Sequence, residues 1–208
     1  LVRRAAGAPF DDFVRERIIE PLGMRDTGFF VPREKLDRFA GCGDFTDRQT
    51  RKLLRMDHDG AESAYASAPV FPSGAGGLVS TVDDYFIFAR MLLKGGVHGR
   101  RRILSADSVR EMTRDQLTRE QKAASAAGFF PGFFEKNGWG YGVGVTTAPD
   151  PVSQIPGRYG WDGGFGTSWG SDPGEGLVAI LMTQRLGFPM TWPVVLDFWT
   201  SVYQAIDD

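Results

Sequence analysis

Residues 159–169 read Tyr159-Gly160-Trp161-Asp162-Gly163-Gly164-Phe165-Gly166-Thr167-Ser168-Trp169. Glycines interleaved with aromatic residues suit a strand whose backbone a ligand can approach closely, because no side chain holds it off. The same composition suits a tight glycine-rich hairpin around a packed tryptophan, and the stretch alone leaves both readings open. Residues 139–145 alternate Gly with Trp, Tyr and Val, and residues 177–183 are mostly apolar, so both read as further strands. Residues 191–206 carry apolar side chains at a helical period, which predicts a closing amphipathic helix.

Upstream the pattern is helical and irregular. Leu1 to Gly7 read as the end of a helix begun earlier and stopped by glycine. Phe10, Phe13, Val14 and Ile18 fall at helical spacing, with Asp11 and Asp12 suited to the first turn and Pro21 placed to end the helix. Residues 30–75 mix charges, glycines and prolines and read as a long loop with short elements. Ser80-Thr81-Val82-Asp83 resembles a capping box opening a helix that runs through Tyr85, Phe88, Ala89 and Leu92 to Gly95-Gly96. Ser105 caps a further helix over about 106–116. Residues 118–136 bring Phe129, Phe130, Phe133 and Phe134 together in an apolar loop or lid. Helices first, then an antiparallel meander, then a covering helix make an α+β fold and not βαβ repeats. The division falls at 138/139, with a helical, loop-rich region in 1–138 and antiparallel strands with the C-terminal helix in 139–208, the two making one incomplete domain.

The 208 residues carry 24 Lys and Arg against 26 Asp and Glu, with no basic face, which argues against a nucleic-acid partner. No apolar run reaches the roughly 18–20 residues that span a bilayer. A single cysteine, Cys42, excludes an internal disulfide. The compartment, cytoplasmic or exported, stays open.

Three constellations invite a catalytic reading. Gly166-Thr167-Ser168-Trp169-Gly170 matches the G-x-S-x-G elbow of α/β-hydrolases, yet Ser171-Asp172-Pro173-Gly174 follow as a turn where the elbow requires a helix. That order also puts histidine after serine, and His58 and His98 both precede Ser168. A polar residue on a strand is the better reading. His58, in Asp57-His58-Asp59, has no second His or Cys near enough in sequence to complete a ligand set, so no metal is implied. Cys42 lacks a visible activating group and reads as a small buried hydrophobe or an inert loop thiol.

Several segments together are similar to the class C β-lactamase and penicillin-binding-protein family of serine hydrolases. Pro21-Leu22-Gly23-Met24-Arg25-Asp26-Thr27-Gly28-Phe29 resembles its PLGM-x-x-T-x-F segment. Gly76-Gly77-Leu78-Val79-Ser80-Thr81-Val82-Asp83 resembles its GGL-x-ST-x-D helix start, Leu104-Ser105 its IL-S segment, and Trp139-Gly140-Tyr141-Gly142-Val143-Gly144 its glycine-rich strand. The matches follow the family's order along nearly the whole chain. The resemblance implies the C-terminal part of a β-lactamase/transpeptidase-like fold.

The family's chemistry uses a Ser-x-x-Lys, a Tyr-x-Asn and a Lys/His/Trp-x-Gly motif. Neither of the first two occurs in these residues. The resemblance therefore implies that the chain begins just after the second motif and is inactive by itself. Trp161 takes the place of the usual Lys or His of the third motif, and Gly163 is its glycine. Gly164 N–H would be one of two oxyanion donors, and such a donor is worth about 2.7–4 kcal/mol in a transition state. Tyr159, Asp162 and Phe165 flank the motif as candidates to line the substrate, with the Asp162 side chain expected to point away by strand alternation. Trp161 cannot anchor a carboxylate as a lysine would, and Trp-x-Gly resembles the esterase-like branch. The implied substrate of the complete protein is a small ester, amide or β-lactam, with no cofactor. The other reading is a non-catalytic module that binds a ligand or partner through the same groove. A sheet lacking its first strands would leave an edge open to self-association.

Overall fold

The computed structural model describes residues 1–45, 53–125, 131–153, 155–186 and 192–206. Its helices are α1 (Val2–Ala6), α2 (Phe10–Val14), α3 (Glu20–Leu22), α4 (Val82–Leu93), α5 (Ala106–Met112), α6 (Arg119–Ser125), α7 (Phe133–Lys136) and α8 (Trp192–Gln204). Its strands are β1 (Cys42–Phe45), β2 (Leu53–Asp57), β3 (Val97–His98), β4 (Arg101–Arg102), β5 (Asn137–Trp139), β6 (Gly144–Thr146), β7 (Tyr159–Gly163), β8 (Thr167–Asp172), β9 (Leu177–Leu181) and β10 (Arg185–Leu186). These residues form two compact units, each drawn from separate stretches of chain.

The first unit comprises Leu1–Phe88, Gly163–Thr167 and Met182–Thr191. α1 ends at Gly7, whose φ of 65° closes the helix in the left-handed conformation. The helix that begins at Phe10 does not stop before Pro21. A π-helical turn over Arg15–Ile19 carries it into α3, which contains Pro21. The wider turn accommodates a residue that has no N–H to give, and left-handed Gly23 then ends the helix, with Gly23 N–H bonding to Glu20 C=O and Met24 N–H to Ile19 C=O. The described residues of 30–75 hold short elements, as expected, and two of them are strands. β1 pairs antiparallel with β2 and parallel with β10, with Gly43 opposite Arg185. Neither β1 nor β10 is among the expected strands. The N-cap of α4 lies one residue later than the capping box suggests. Thr81 Oγ1 accepts from Asp84 N–H at 3.3 Å, while Ser80 Oγ bonds to Thr27 Oγ1 at 2.8 Å. Asp84, buried at the helix start, also accepts from Asp26 N–H and Thr27 Oγ1 and ties the Met24–Thr27 segment down.

The second unit comprises Ala89–Asp162, Ser168–Leu181 and Trp192–Asp208. Ser105 caps α5 by accepting from Ser108 N–H at 3.0 Å, and the helix ends at Met112, short of 116. A five-stranded sheet has the order β5-β6-β7-β8-β9. The stretch 139–145 is therefore not one strand: the chain turns between Trp139 and Gly144, which pair across β5 and β6. The stretch 159–169 likewise splits into β7, a turn and β8. Ala179 on β9 packs beneath Val195 and Trp199 of α8, with Val152, Leu181, Phe198, Val202 and Tyr203 around them. This is the predicted sheet with its covering helix, and the α+β expectation stands. Among the described residues no helix is long and apolar enough to cross a membrane.

Candidate active site

β7 puts successive side chains on opposite faces. Trp161 is 37% exposed and lies on one face with Tyr159. Its ring meets Trp139 edge-on at 4.4 Å and Phe133 at 5.9 Å, and Phe134 in turn meets Phe133 edge-on at 5.1 Å. Gly144 on β6, which pairs with Gly160, makes room for the ring, because a Cβ there would sit 3.2 Å from it. Phe129 and Phe130, the other half of the expected lid, lie outside the described residues. The Tyr159 side chain is buried edge-to-face against Trp169 at 6.0 Å, and burial pushes its phenol up to about 12.

Asp162 points to the opposite face and accepts from Ser168 Oγ at 2.5 Å. Ser168 in turn accepts from Trp199 Nε1 of α8 at 2.9 Å. Burial is the main influence on the Asp162 carboxyl and raises it, while the Ser168 hydrogen bond and the charge of Arg158 work the other way. Ser168 is 2% exposed in the middle of β8, with its hydroxyl committed at both ends. It sits on no strand-to-helix turn, so the elbow geometry is absent here.

In the first unit, Gly163–Thr167 form the turn after β7. Gly166 N–H closes on Gly163 C=O at 3.0 Å, and Gly166 holds a φ of 77° that favours glycine. Thr183 Oγ1 donates to Gly166 C=O at 2.7 Å and Arg185 N–H to Phe165 C=O at 3.2 Å, which pins the turn. A side chain at Gly163 would collide with Thr167 Oγ1. Gly164 and Phe165 are exposed. A cavity of about 510 Å³ in this unit is lined by Asp26, Thr27, Phe29, Lys35, Arg38 and Phe39 among others, and no motif residue lines it. Lys35 and Arg38 both bond to Asp26, whose carboxyl they hold below its ordinary range.

The other sequence candidates sit apart. Cys42 is buried in β1, and His58 is exposed beside Glu62 at 3.3 Å. Among the described residues no three His, Cys, Asp or Glu side chains gather as a metal site. The polar chain Asp162–Ser168–Trp199 was not legible as a unit. Its one sequence signal was the alternation along β7 and β8, which puts Asp162 and Ser168 on one face.

The fold is that of the β-lactamase and transpeptidase-like proteins. The structure resembles a mutant of the simvastatin synthase LovD from Aspergillus terreus with a TM-score of 0.79 and 20% identity, covering 98% of this chain and 52% of that one. The Beta-lactamase family model matches residues 1–201, and the chain belongs to that family. Protein Rv1367c of Mycobacterium tuberculosis is 36% identical over 192 residues, covering 89% of this chain and 46% of the relative. Esterase EstB of Burkholderia gladioli is 28% identical over 220 residues, covering 98% of this chain and 51% of the esterase. The chain thus spans about half the length of the curated relatives it matches.

Proposed function

We propose that this chain supplies the third active-site motif of a serine hydrolase that forms an acyl-enzyme on a serine outside these residues. The observation that carries the reading is the β7 motif itself: Trp161 is partly exposed on one face, and exposed Gly164 follows Gly163 in a pinned turn. Gly164 N–H is the donor assigned to the developing oxyanion, and a glycine there leaves room for the acyl group. Family membership and the likeness to an esterase support acyl transfer. Trp161 presents no cation, so a neutral ester is the favoured substrate over a penicillin or a peptide with a free carboxylate. Ser168 is not the nucleophile, because both of its hydrogen-bonding directions are used in a buried setting.

The test is steady-state turnover of an activated neutral ester and of a penicillin by the protein expressed from its full reading frame. The ester is expected to be the better substrate, and Trp161→Lys is expected to shift the ratio toward the penicillin. A penicillin preferred by the unsubstituted protein would overturn the assignment. Absence of Ser-x-x-Lys and Tyr-x-Asn from the 208 residues favours a second reading, a binding module without catalysis. Failure of the full reading frame to turn over any ester, amide or β-lactam would favour it. The end strands β5 and β9 also offer edges for self-association, which sedimentation of the 208-residue chain would reveal.

A further inference from the structure

We infer that Asp162, Ser168 and Trp199 are positioning residues for the third motif, an inference that rests on the hydrolase reading above. Asp162 lies between Trp161 and Gly163, so whatever fixes its side chain fixes the twist of the peptide units that present those two residues. The fixing is done from the far side of the strand. Trp199 Nε1 donates to Ser168 Oγ, and Ser168 Oγ donates to Asp162 Oδ1. The anchor for this chain is α8, which is itself held in three ways. Gly170 clears the space for the Trp199 ring, since a Cβ would fall 2.6 Å from it. Arg158, paired with Asp150 at 2.6 Å, lies over the Trp199 and Tyr203 rings at 5.1 and 5.8 Å. Tyr203 Oη donates to Asp172, which is 1% exposed.

Apolar packing alone would cover a sheet face with no need for this chain of donors and acceptors. A row of hydrogen bonds adds direction: Ser168 has one proton to give, and it goes to Asp162. Asp162 is thereby held in one rotamer, and the backbone on either side of it is held with it. An oxyanion donor displaced by even a fraction of an ångström loses much of its effect, which is why such an anchor matters at this strand.

The experiment compares Ser168→Ala, Asp162→Ala and Asp162→Asn in the protein expressed from its full reading frame, read by ester turnover and by ¹⁵N-glycine amide spectra. Ser168→Ala and Asp162→Ala are expected to lower kcat about tenfold with KM nearly unchanged, and to move the Gly163 and Gly164 amide resonances. Asp162→Asn keeps an acceptor for the Ser168 hydroxyl and is expected to recover most of the rate and the parent resonances. If Ser168→Ala does not fold, the two Asp162 variants make the same comparison. Lower melting temperatures with kcat and both glycine resonances unchanged would overturn the inference and leave the network merely structural. If the unsubstituted protein turns over no ester, the hydrolase reading fails, while the glycine resonances still decide whether the network positions the motif.

Discussion

The two faces of the β7–β8 hairpin are built on opposite principles. One face carries Tyr159, Trp161 and Trp169, rings that meet each other and Trp139 edge-on. The other carries Asp162, Ser168, Gly170 and Asp172, a row that by composition belongs in water, yet three of the four are buried. α8 resolves the conflict by bringing aromatic side chains with polar tips, so Trp199 and Tyr203 supply apolar area and hydrogen bonds together. One strand pair thus holds a fixed polar row on one face and aromatic packing on the other, with Trp161 alone of the three rings partly exposed.

The sharpest way to break this contrast is to remove the tip and the ring together. Trp199→Ala is expected to cost about 3–5 kcal/mol, read by chemical denaturation, because it opens a cavity and strands Ser168. Gly170→Ala is expected to cost about 1–3 kcal/mol, since the new methyl meets the Trp199 ring. A loss as small as that of a solvent-facing substitution would mean that α8 does not seat as described. Trp161→Ala, on the partly exposed face, is expected to cost only about 1 kcal/mol of edge-on ring contact. A stability loss equal to that of Trp199→Ala would erase the distinction between the anchored ring and the partly exposed one.

The finest test is pH. Burial raises the Asp162 carboxyl above its ordinary value of 3.8. In the window between that value and the raised one, the folded protein keeps a proton that the unfolded chain has released, so stability falls as pH rises through it. Asp162→Asn cannot ionise and is expected to flatten that fall. Denaturation midpoints with the same pH slope in both proteins would contradict a raised Asp162 carboxyl.

The presence of the sheet was legible from local glycine and aromatic alternation in 139–145 and 159–169 and from the apolar run after 177, though its turns were not, and α8 was legible because its apolar period spans a whole face. The strands β1 and β10 were not, since Cys42-Gly43-Asp44-Phe45 and Arg185-Leu186 have no alternation of their own and find order by pairing with each other at a separation of 142 residues, as between Gly43 and Arg185. The helix through Pro21 was missed because a π-turn is a geometric remedy without a sequence signature. At the site, the assignment of Trp161 and Gly163 rests on the motif. The Asp162–Ser168–Trp199 connection was not legible, because it joins residues 31 apart whose meeting depends on how α8 settles.

Intact-mass spectrometry after reaction with an activated neutral ester tests the central claim most directly. The account predicts one acyl adduct on the protein from the full reading frame, located by peptide mapping outside residues 1–208, and none on the 208-residue chain. A stoichiometric adduct on Ser168, or on any other serine within these residues, would contradict it.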